Sequence, residues 1–188
     1  MSFLKIYDEE YASKMAQRTD TFRKVFELLE AQNRKSYTIV ETGTLRVKDN
    51  FAGDGCSTLL FDRFVNHHDG VVYSIDKSKK ACELSRSLVS NKTMVMNKDS
   101  LNFLRNLFIP IDCLYLDSYD IDFREPHPSA LHHLMELCMV FKLLKSGTLV
   151  VVDDNQSETS GKGMYVAEFM KKIKVDCIIN GYQKGWIL

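Results

Sequence analysis

An apolar, β-branched segment reads YTIVETG at residues 37–43 and gives the first strong indication of the fold. These residue types favour extended backbone, and a glycine directly after them is typical of a strand that ends in a tight turn. The segment has no regular alternation of apolar and polar residues, so we predict a strand that is buried on both faces. Such strands are typical of parallel sheets that helices cover on both sides.

Predicted strands and helices alternate after this first strand. The further strands lie at residues 71–75, 93–96, 112–116, 148–152 and 175–179. Helical spacing and cap residues predict helices at residues 57–67, 78–90, 100–107, 129–144 and 164–173. The polar segment 45–54 is predicted as an irregular loop. This alternation indicates an α/β fold with a doubly wound sheet that carries helices on both faces.

The end of the chain departs from the alternation. Only residues 180–185 separate the strand at 175–179 from the terminal Trp186-Ile187-Leu188. A crossover between parallel strands needs about a dozen residues or more. We therefore predict a seven-stranded, mostly parallel sheet whose last strand is antiparallel.

The residues before the first strand carry the spacing of helices. Their apolar side chains recur three and four positions apart, at Phe22, Val25, Phe26 and Leu29. We predict an N-terminal helical cap over residues 1–35 and an α/β domain over residues 36–188, packed together as one compact domain.

Composition excludes some classes of protein. Lysine plus arginine equals aspartate plus glutamate, at 25 each, so no net positive field attracts nucleic acid, and we expect none as a partner. No apolar run approaches the roughly 20 residues of a membrane span, and the polar N-terminus does not resemble a secretory signal. We therefore expect a cytoplasmic protein that does not bind membranes. The five cysteines form no paired motif, so we expect reduced thiols.

Acidic residues follow the predicted strands at their carboxyl ends. They are Glu41, Asp76, Asp99, Asp117 and the pair Asp153 and Asp154. In an open parallel sheet, ligands bind beyond these ends. A single acid at a strand end is a common turn former, but a carboxylate at each successive end favours a site that attracts positive charge.

The first turn discriminates between cofactors. The pyrophosphate of a dinucleotide requires glycine-rich backbone amides with no negative charge nearby. Here Glu41 lies at the strand tip, and the glycine spacing does not match the dinucleotide pattern. A carboxylate suits a cofactor with an ammonium and a sulfonium group, and Asp76 could accept both hydroxyls of a ribose. An NAD-binding oxidoreductase is therefore the weaker alternative.

The motifs Glu41-Thr42-Gly43-Thr44 and Gly53-Asp54-Gly55-Cys56-Ser57 resemble the glycine-rich first motif of class I S-adenosylmethionine-dependent methyltransferases. The terminal hairpin matches the reversed last strand of that Rossmann-like fold. The resemblance implies a set of cofactor-binding residues: Glu41, Gly43, Gly55, Ser57, Asp76, Asp99, Ser100 and Ser118. Among them, Asp76 would bind the ribose. Because the loop at 45–52 interrupts the motif, Arg46 or Lys48 could bind the carboxylate of the cofactor.

A narrower resemblance concerns the fourth and fifth strands. Leu116-Asp117-Ser118-Tyr119 and the segment 144–154 resemble metal-dependent O-methyltransferases of the catechol and macrolide-sugar types. The resemblance implies that Asp117, Asp153 and Asp154 bind Mg²⁺ or another divalent cation. A shift of one residue would instead give the pair Asp154 and Asn155. Carboxylate oxygens suit magnesium, which would lower the pKa of a bound hydroxyl.

The sequence does not identify which residue would act as the general base. The catechol-type enzymes carry a lysine where this chain has Asp120, and the macrolide-sugar relatives lack that lysine too. The candidate catalytic residues are Asp117, Asp120 and His132, with His133 as a further alternative. The two histidines are adjacent on a predicted helix, so they cannot both face one site.

These features together predict an enzyme that transfers a methyl group from S-adenosylmethionine to a hydroxyl of a small molecule with the help of Mg²⁺. The missing lysine and the inserted loop leave one alternative from another class, a catalytically inactive methyltransferase-like binding domain. The sequence does not identify the acceptor. A second subunit could complete its pocket, so a homo-oligomer is kept as an open alternative.

Overall fold

The computed structural model describes residues 2–157 and 160–188. Its strands are β1 Tyr37–Thr42, β2 Gly70–Asp76, β3 Thr93–Asn97, β4 Cys113–Leu116, β5 Leu149–Val152, β6 Cys177–Asn180 and β7 Lys184–Ile187. They form one seven-stranded sheet in the order β3-β2-β1-β4-β5-β7-β6. The first five strands pair in parallel, whereas β7 is antiparallel to both β5 and β6. The predicted fold class is confirmed, including the reversed last strand.

The helices are α1 Phe3–Glu10, α2 Thr19–Ala31, α3 Phe51–Asp54, α4 Ser57–His68, α5 Lys79–Leu88, α6 Ser100–Arg105, α7 His127–Val140 and α8 Met164–Lys172. Ser78 caps α5 as predicted, since its hydroxyl accepts the Ala81 N–H at 3.2 Å. The predicted loop at 45–54 is partly wrong, because it contains α3. The side chain of Asn50 accepts the Gly53 N–H at 3.2 Å and so caps this single turn, which is too short to show a helical period.

Helices cover both faces of the sheet because successive strand residues point to opposite sides. On one face, the side chains of Ile39, Cys113 and Tyr115 are buried with apolar residues of α1, α2 and α4. On the other face, Val40 and Leu114 are buried with residues of α6, α7 and α8. The two layers make the sheet doubly wound.

The N-terminal helices share a core with the sheet. The ring of Phe22 stacks on that of Tyr115 in β4, with centroids 5.6 Å apart. Phe26 packs edge-on against Phe61 of α4 at 6.0 Å. This packing carries the short 3-10 turn before α2, which ends at Arg18, to the carboxyl ends of the strands.

The hairpin at the end of the chain also reaches this edge. Val152, the last residue of β5, pairs with Lys184, the first residue of β7. The turn at 181–183 therefore lies beside the carboxyl end of β5. Among the residues described, none of the helices combines the length and the apolar character that a membrane span requires.

Replacing Phe26 with alanine should lower the free energy of unfolding by about 3–5 kcal/mol, because the fully buried ring would leave a cavity between the helices and the sheet. Phe108→Ala is the matched control: this ring is 78% exposed, and its loss should change stability by less than about 0.5 kcal/mol. Denaturant unfolding of both variants checks this difference. Equal losses would show that the N-terminal helices do not contribute to the core.

Candidate functional site

The carboxyl ends of β2, β1, β4 and β5 lie side by side, so the acidic residues that follow them meet at one edge of the sheet. Their side chains are in different surroundings, however. Glu41 is buried below the edge, Asp76 lines a small cavity, and a third group contacts two buried cations. The members of this third group, which we call the acidic cluster, are Asp117, Asp153 and Asp154.

Glu41 is fully buried among hydroxyl groups. Its carboxylate accepts hydrogen bonds from Ser57, from Thr58 at 2.6 Å and from Ser74 at 2.6 Å. Burial raises the pKa of Glu41 to about 7, although the three hydroxyls act in the opposite direction. Glu41 and Ser57, both predicted to bind the cofactor, thus bind each other, and they connect β1 to β2 and α4.

Gly43 brings the ends of β1 and β4 together. Its φ is +85°, and a Cβ atom at this position would lie 2.5 Å from the carbonyl oxygen of Asp117. Only glycine allows both this backbone conformation and this close approach. The residue predicted to lie near the cofactor therefore sets the distance between two strand ends.

A cavity of about 80 Å³ lies at the ends of β2 and β4. It is lined by Ile75, Asp76, Lys77, Lys98, Ser100, Ser118, Tyr119 and His132. The structure thus brings together Asp76, Ser100, Ser118 and His132, which the sequence singled out from four separate segments. The carboxylate of Asp76 is oriented by two backbone N–H groups, since it accepts the Thr44 N–H at 3.2 Å and the Ser78 N–H at 2.6 Å.

Glu136 on α7, which is not among the residues predicted from the sequence, organises the wall of this cavity. Its buried carboxylate accepts hydrogen bonds from Ser118 at 2.6 Å and from Thr42 at 3.0 Å. His132 Nε2 lies 3.2 Å from Glu136 and 3.3 Å from the Ser100 hydroxyl. Burial by itself would raise the pKa of Glu136, but hydrogen bonds, first among them that from His132, lower it below its ordinary value. The spacing of four between His132 and Glu136 on a predicted helix was the available signal.

Asp99 lies away from the cavity lining. Its carboxylate caps α6 by accepting the Asn102 N–H at 2.9 Å, and it pairs with Lys77 at 2.7 Å on the surface. The hydrogen bond from Lys77 lowers the pKa of Asp99 below its ordinary value. Asp99 is therefore a cap residue in this structure, next to the lining residue Ser100.

His133 faces the core and not the cavity. It is fully buried, with Nδ1 at 2.7 Å from the carbonyl oxygen of Ser129. Burial lowers the pKa of His133 to about 4, so the ring is neutral near pH 7. The expectation that the adjacent histidines face different surroundings is confirmed.

Two cationic side chains lie among the carboxylates of the acidic cluster. Arg18 Nε donates to both oxygens of Asp153, at 2.9 and 3.1 Å, and Arg18 Nη2 donates to Asp154 at 2.8 Å. The Lys162 ammonium donates to Asp117 and, at 2.8 Å, to the second oxygen of Asp154. Arg18 is 4% exposed and Lys162 is 1% exposed, so both charges are removed from water.

Charge balance within the cluster outweighs burial for the cations. Burial would lower the pKa of Lys162, but Asp117 and Asp154 raise it above its ordinary value, and Asp153 does the same for Arg18. Burial likewise raises the pKa of Asp117, whereas Lys162 overcomes burial at Asp154 and lowers its pKa. We regard both cations as charged, because each faces more than one carboxylate.

Neighbouring residues enclose Arg18 on both sides. The ring of Tyr182 packs over the guanidinium, with the Cζ atom 4.6 Å from the ring centroid. Gly55 has a φ of +70°, and a Cβ atom there would lie 3.1 Å from Arg18 Cδ. Gly55, which was expected near the cofactor, therefore makes room for Arg18.

Asn155 is used by the backbone. Its amide nitrogen donates to the carbonyl oxygens of Val152 at 2.9 Å and Asp153 at 3.1 Å, and its amide oxygen accepts the Gly163 N–H at 2.9 Å. Of the two pairs that the sequence left open, the structure places Asp153 and Asp154 in the cluster with Asp117, and not Asn155.

Asp120 lies outside the cluster. Its side chain is 75% exposed and pairs with Arg46 at 2.7 Å, and Arg46 also contacts Asp54 at 3.4 Å. This ion pair joins the loop after β1 to the loop after β4. Lys48 is exposed on the same inserted loop.

The residues that sequence reasoning missed in the cluster are Arg18 and Lys162. Arg18 lies before the predicted sheet, so no local spacing connects it with Asp153. Lys162 stands between Gly161 and Gly163, which indicates a tight loop after the fifth strand but not the destination of the lysine side chain.

The pH dependence of stability should show the buried acid at Glu41. Its folded-state pKa of about 7 exceeds the ordinary 4.5, so the protonated form stabilises the fold below about pH 4.5, and this stabilisation is lost as the pH rises to about 7. Between about pH 4.5 and pH 7, the free energy of unfolding of the wild type should therefore fall by roughly 3 kcal/mol relative to that of Glu41→Gln. Denaturant unfolding of both proteins at several pH values measures the difference, and a constant difference would contradict the assignment.

Gly43→Ala should destabilise the protein more than Gly147→Ala does. Gly147 is a matched control, because its φ is +90° and the nearest atom to a Cβ there is the flexible Arg34 Nη2 at 3.5 Å. At either position, an alanine with positive φ should lower the free energy of unfolding by roughly 1–2 kcal/mol. The clash with the Asp117 carbonyl should add roughly 1–3 kcal/mol at position 43. Thermal or denaturant unfolding checks the order, and equal effects would contradict the close approach of β1 and β4.

No protein-family model matches the chain, and no curated protein matches its sequence. Solved structures do match its fold. The O-methyltransferase NovP superposes with a TM-score of 0.64 at 15% identity, over 90% of this chain and 79% of NovP. The SAH-bound methyltransferase PaMTH1 of Podospora anserina superposes with a TM-score of 0.60 at 14% identity, over 88% of this chain and 77% of that protein.

A third match is the MycE methyltransferase of the mycinamycin biosynthetic pathway, solved in complex with Mg, SAH and mycinamycin VI. Its TM-score is 0.63 at 14% identity, over 90% of this chain and 49% of MycE. At such identities the likeness concerns the fold. The chain has the class I methyltransferase fold that these methyltransferases share.

Proposed function

We propose that this protein transfers the methyl group of S-adenosylmethionine to a hydroxyl group of a small molecule. The observation that carries the proposal is the cavity at the ends of β2 and β4, where Asp76, Ser100, Ser118 and His132 meet. Its place in the fold agrees with the rule that ligands of open parallel sheets bind beyond the carboxyl ends of the strands.

The residues of this cavity fit the adenosine part of the cofactor. Asp76 is held in place by two backbone N–H groups, and its remaining lone pairs can accept the hydroxyls of a ribose. Ser100 and His132 supply polar groups for an adenine, and Tyr119 supplies a ring. At about 80 Å³ the cavity is smaller than a typical ligand pocket of about 300 Å³ or more, so binding would require Tyr119, which is 48% exposed, to move outward.

The cofactor, when bound, supplies a methyl group on a positively charged sulfur. Asp117 lies beside Gly43 at the joint end of β1 and β4, and its side chain is 20% exposed. One of its oxygens binds Lys162, and the other could accept the proton of the acceptor hydroxyl as the acceptor oxygen bonds to the methyl carbon. The carbon–sulfur bond would break in the same step, and the sulfur would keep its electron pair.

Asp117 is a better candidate for this base than the other two predicted residues. Asp120 is exposed and paired with Arg46, and His132 lies against Glu136 and Ser100. Burial raises the pKa of Asp117 well above its ordinary value, which makes its carboxylate a stronger base.

A polar groove beside the acidic cluster supports a small acceptor that carries hydroxyl groups. Its volume is about 670 Å³, and it is lined by Gln17, Asn155, Gln156, Ser157, Asn180, Gly181, Tyr182 and Lys184. The side-chain amides of Gln17, Gln156 and Asn180 can pair with the hydroxyls of an acceptor, whereas that of Asn155 binds backbone groups. Tyr182 lines the groove and packs over the guanidinium of Arg18, so the groove borders the cluster.

The acidic cluster does not fit Mg²⁺, which the sequence resemblance implied. Both oxygens of Asp153, both of Asp154 and one of Asp117 accept a hydrogen bond or ion pair from Arg18 or Lys162. Magnesium prefers about six oxygen ligands and is repelled by cations inside that shell. Within residues 2–157 and 160–188, no three or more His, Cys, Asp or Glu side chains are arranged to hold a metal ion. The proposed reaction therefore contains no metal step.

Asp76→Ala should weaken the binding of S-adenosylhomocysteine by roughly tenfold or more, because hydrogen bonds to a charged group contribute about 1.5–3 kcal/mol. Asp69→Ala is the matched control, since Asp69 precedes β2 at its opposite end and pairs with Lys92. Isothermal titration calorimetry of the wild type and both variants measures the effect.

A wild-type protein that does not bind S-adenosylhomocysteine would contradict the proposed function, and binding of NADH in its place would favour an oxidoreductase. Cofactor binding without transfer of labelled methyl to any of a panel of sugars and phenols would favour the inactive binding domain.

A further inference from the structure

The acidic cluster is neutralised by the chain itself. Three carboxylates lie at the ends of two adjacent strands, and the buried cations Arg18 and Lys162 compensate two of their negative charges. A buried charge is costly unless it is paired, so these contacts are needed for the cluster to exist in the fold.

Lys162 is held in the cluster by its own loop. Its backbone N–H donates to the carbonyl oxygen of Asp154 at 3.1 Å, directly beside the carboxylates that its ammonium binds. Gly161 bridges to Asn155, and the Gly163 N–H donates to the Asn155 amide oxygen. A Cβ atom at Gly161 or Gly163 would lie 2.6 or 2.7 Å from atoms of Asn155, so the flanking glycines allow the loop to lie against the end of β5.

Arg18 is held just as closely. Its Nη1 atom lies 3.3 Å from the carbonyl oxygens of Ala52 and Gly53, and its other nitrogens bind Asp153 and Asp154. Tyr182 covers the face of the guanidinium. Neither cation can leave the cluster without movement of the surrounding backbone or the loss of several hydrogen bonds.

We propose that Lys162 and Arg18 take the place of a divalent cation at this edge of the sheet, so that the protein neither binds nor needs a metal there. Lys162 is the central member, because its ammonium lies between carboxylates of two different strand ends. It acts as a positioning residue for Asp117. The statement about metal binding is independent of the proposed function, whereas the statement that activity needs no metal rests on it.

The charge balance gives this proposal a direct consequence. With all three carboxylates ionised and both cations present, one negative charge remains in the cluster, and a divalent ion would make the cluster positive. Without Lys162, two negative charges remain, and oxygens of Asp117 and Asp154 lose their donor. A divalent ion would then match both the charge and the ligand type that it prefers.

The test is a titration of the metal-free protein with Mn²⁺ alone. The electron paramagnetic resonance signal of free Mn²⁺ measures how much of the ion is bound. The wild type should show no stoichiometric Mn²⁺ site, and Lys162→Ala should gain one. Lys162→Arg, which keeps the charge, and Lys92→Ala, which removes a lysine facing the single carboxylate of Asp69, should gain none. The melting temperature of the wild type should be the same in Mg²⁺ and in EDTA, since a ligand that binds the folded state would raise it.

Several results would overturn the proposal. One is a Mn²⁺ site in the wild type that Asp154→Asn abolishes. Another is a folded Lys162→Ala protein that still binds no Mn²⁺. If Lys162→Ala fails to fold alone, the proposal requires that Mn²⁺ restores its folding, and failure of this rescue counts against it. If methyl transfer is found, it should persist in EDTA; if none is found, the proposed function fails while the Mn²⁺ titration still decides this inference.

Discussion

The contacts of Arg18 and Lys162 with the acidic cluster determine how the carboxyl edge of this protein is built. Arg18 arrives from the N-terminal helices, Lys162 from the loop after β5, and the carboxylates from the ends of β4 and β5. Separate parts of the chain are therefore joined by charge at one place. Ion pairs of this kind do not add much net stability, because desolvation offsets their attraction. A conformation that separates them is disfavoured, because it leaves buried charges without partners.

Two other buried carboxylates show how strongly the hydrogen-bond donors around an acid determine its pKa. Within the described residues, the donors to Glu41 are hydroxyl groups, and burial dominates and raises its pKa to about 7. Glu136 has His132 and several hydroxyl donors, so its pKa is lowered despite similar burial. The first connects the strands below the edge, and the second orients the wall of the cavity. The groups that surround each acid therefore determine whether it carries a negative charge, and its position in the chain does not determine this alone.

The two sides of this edge therefore differ in charge and in polar groups. The cavity beside β2 presents Asp76 and the hydroxyls of Ser100 and Ser118, together with Lys77 and Lys98. The cluster beside β5 presents a carboxylate, Asp117, whose charge is balanced by Lys162, next to a polar groove. Gly43 lies between them and sets how closely the two sides approach. Under the proposed function, the cavity would bind the cofactor and the groove would bind the acceptor, next to cations that the chain itself supplies.

The sequence by itself determined the elements of the sheet and their direction. Residues 37–43 predicted a buried strand, and Ser78 predicted the start of a helix. The short connection 180–185 predicted the reversed last strand. All three features depend on residues that are neighbours in the chain. The position of Asp76 at the end of a strand also follows from local pattern, whereas Ser100 and Ser118 were implied by the family resemblance and His132, inside α7, was a candidate base. The contacts of Glu41, Ser57 and Gly55 could not be predicted, because the residues that they contact come from other segments of the chain.

Only the tertiary structure decided what the acidic cluster is. The sequence correctly grouped Asp117, Asp153 and Asp154, since parallel strands end at one edge. It could not show that Arg18, from a helical segment before the sheet, and Lys162, from a glycine-flanked loop, reach the space between them. Side-chain destination depends on how distant segments pack, and electrostatic pairing over such sequence distances has no local pattern.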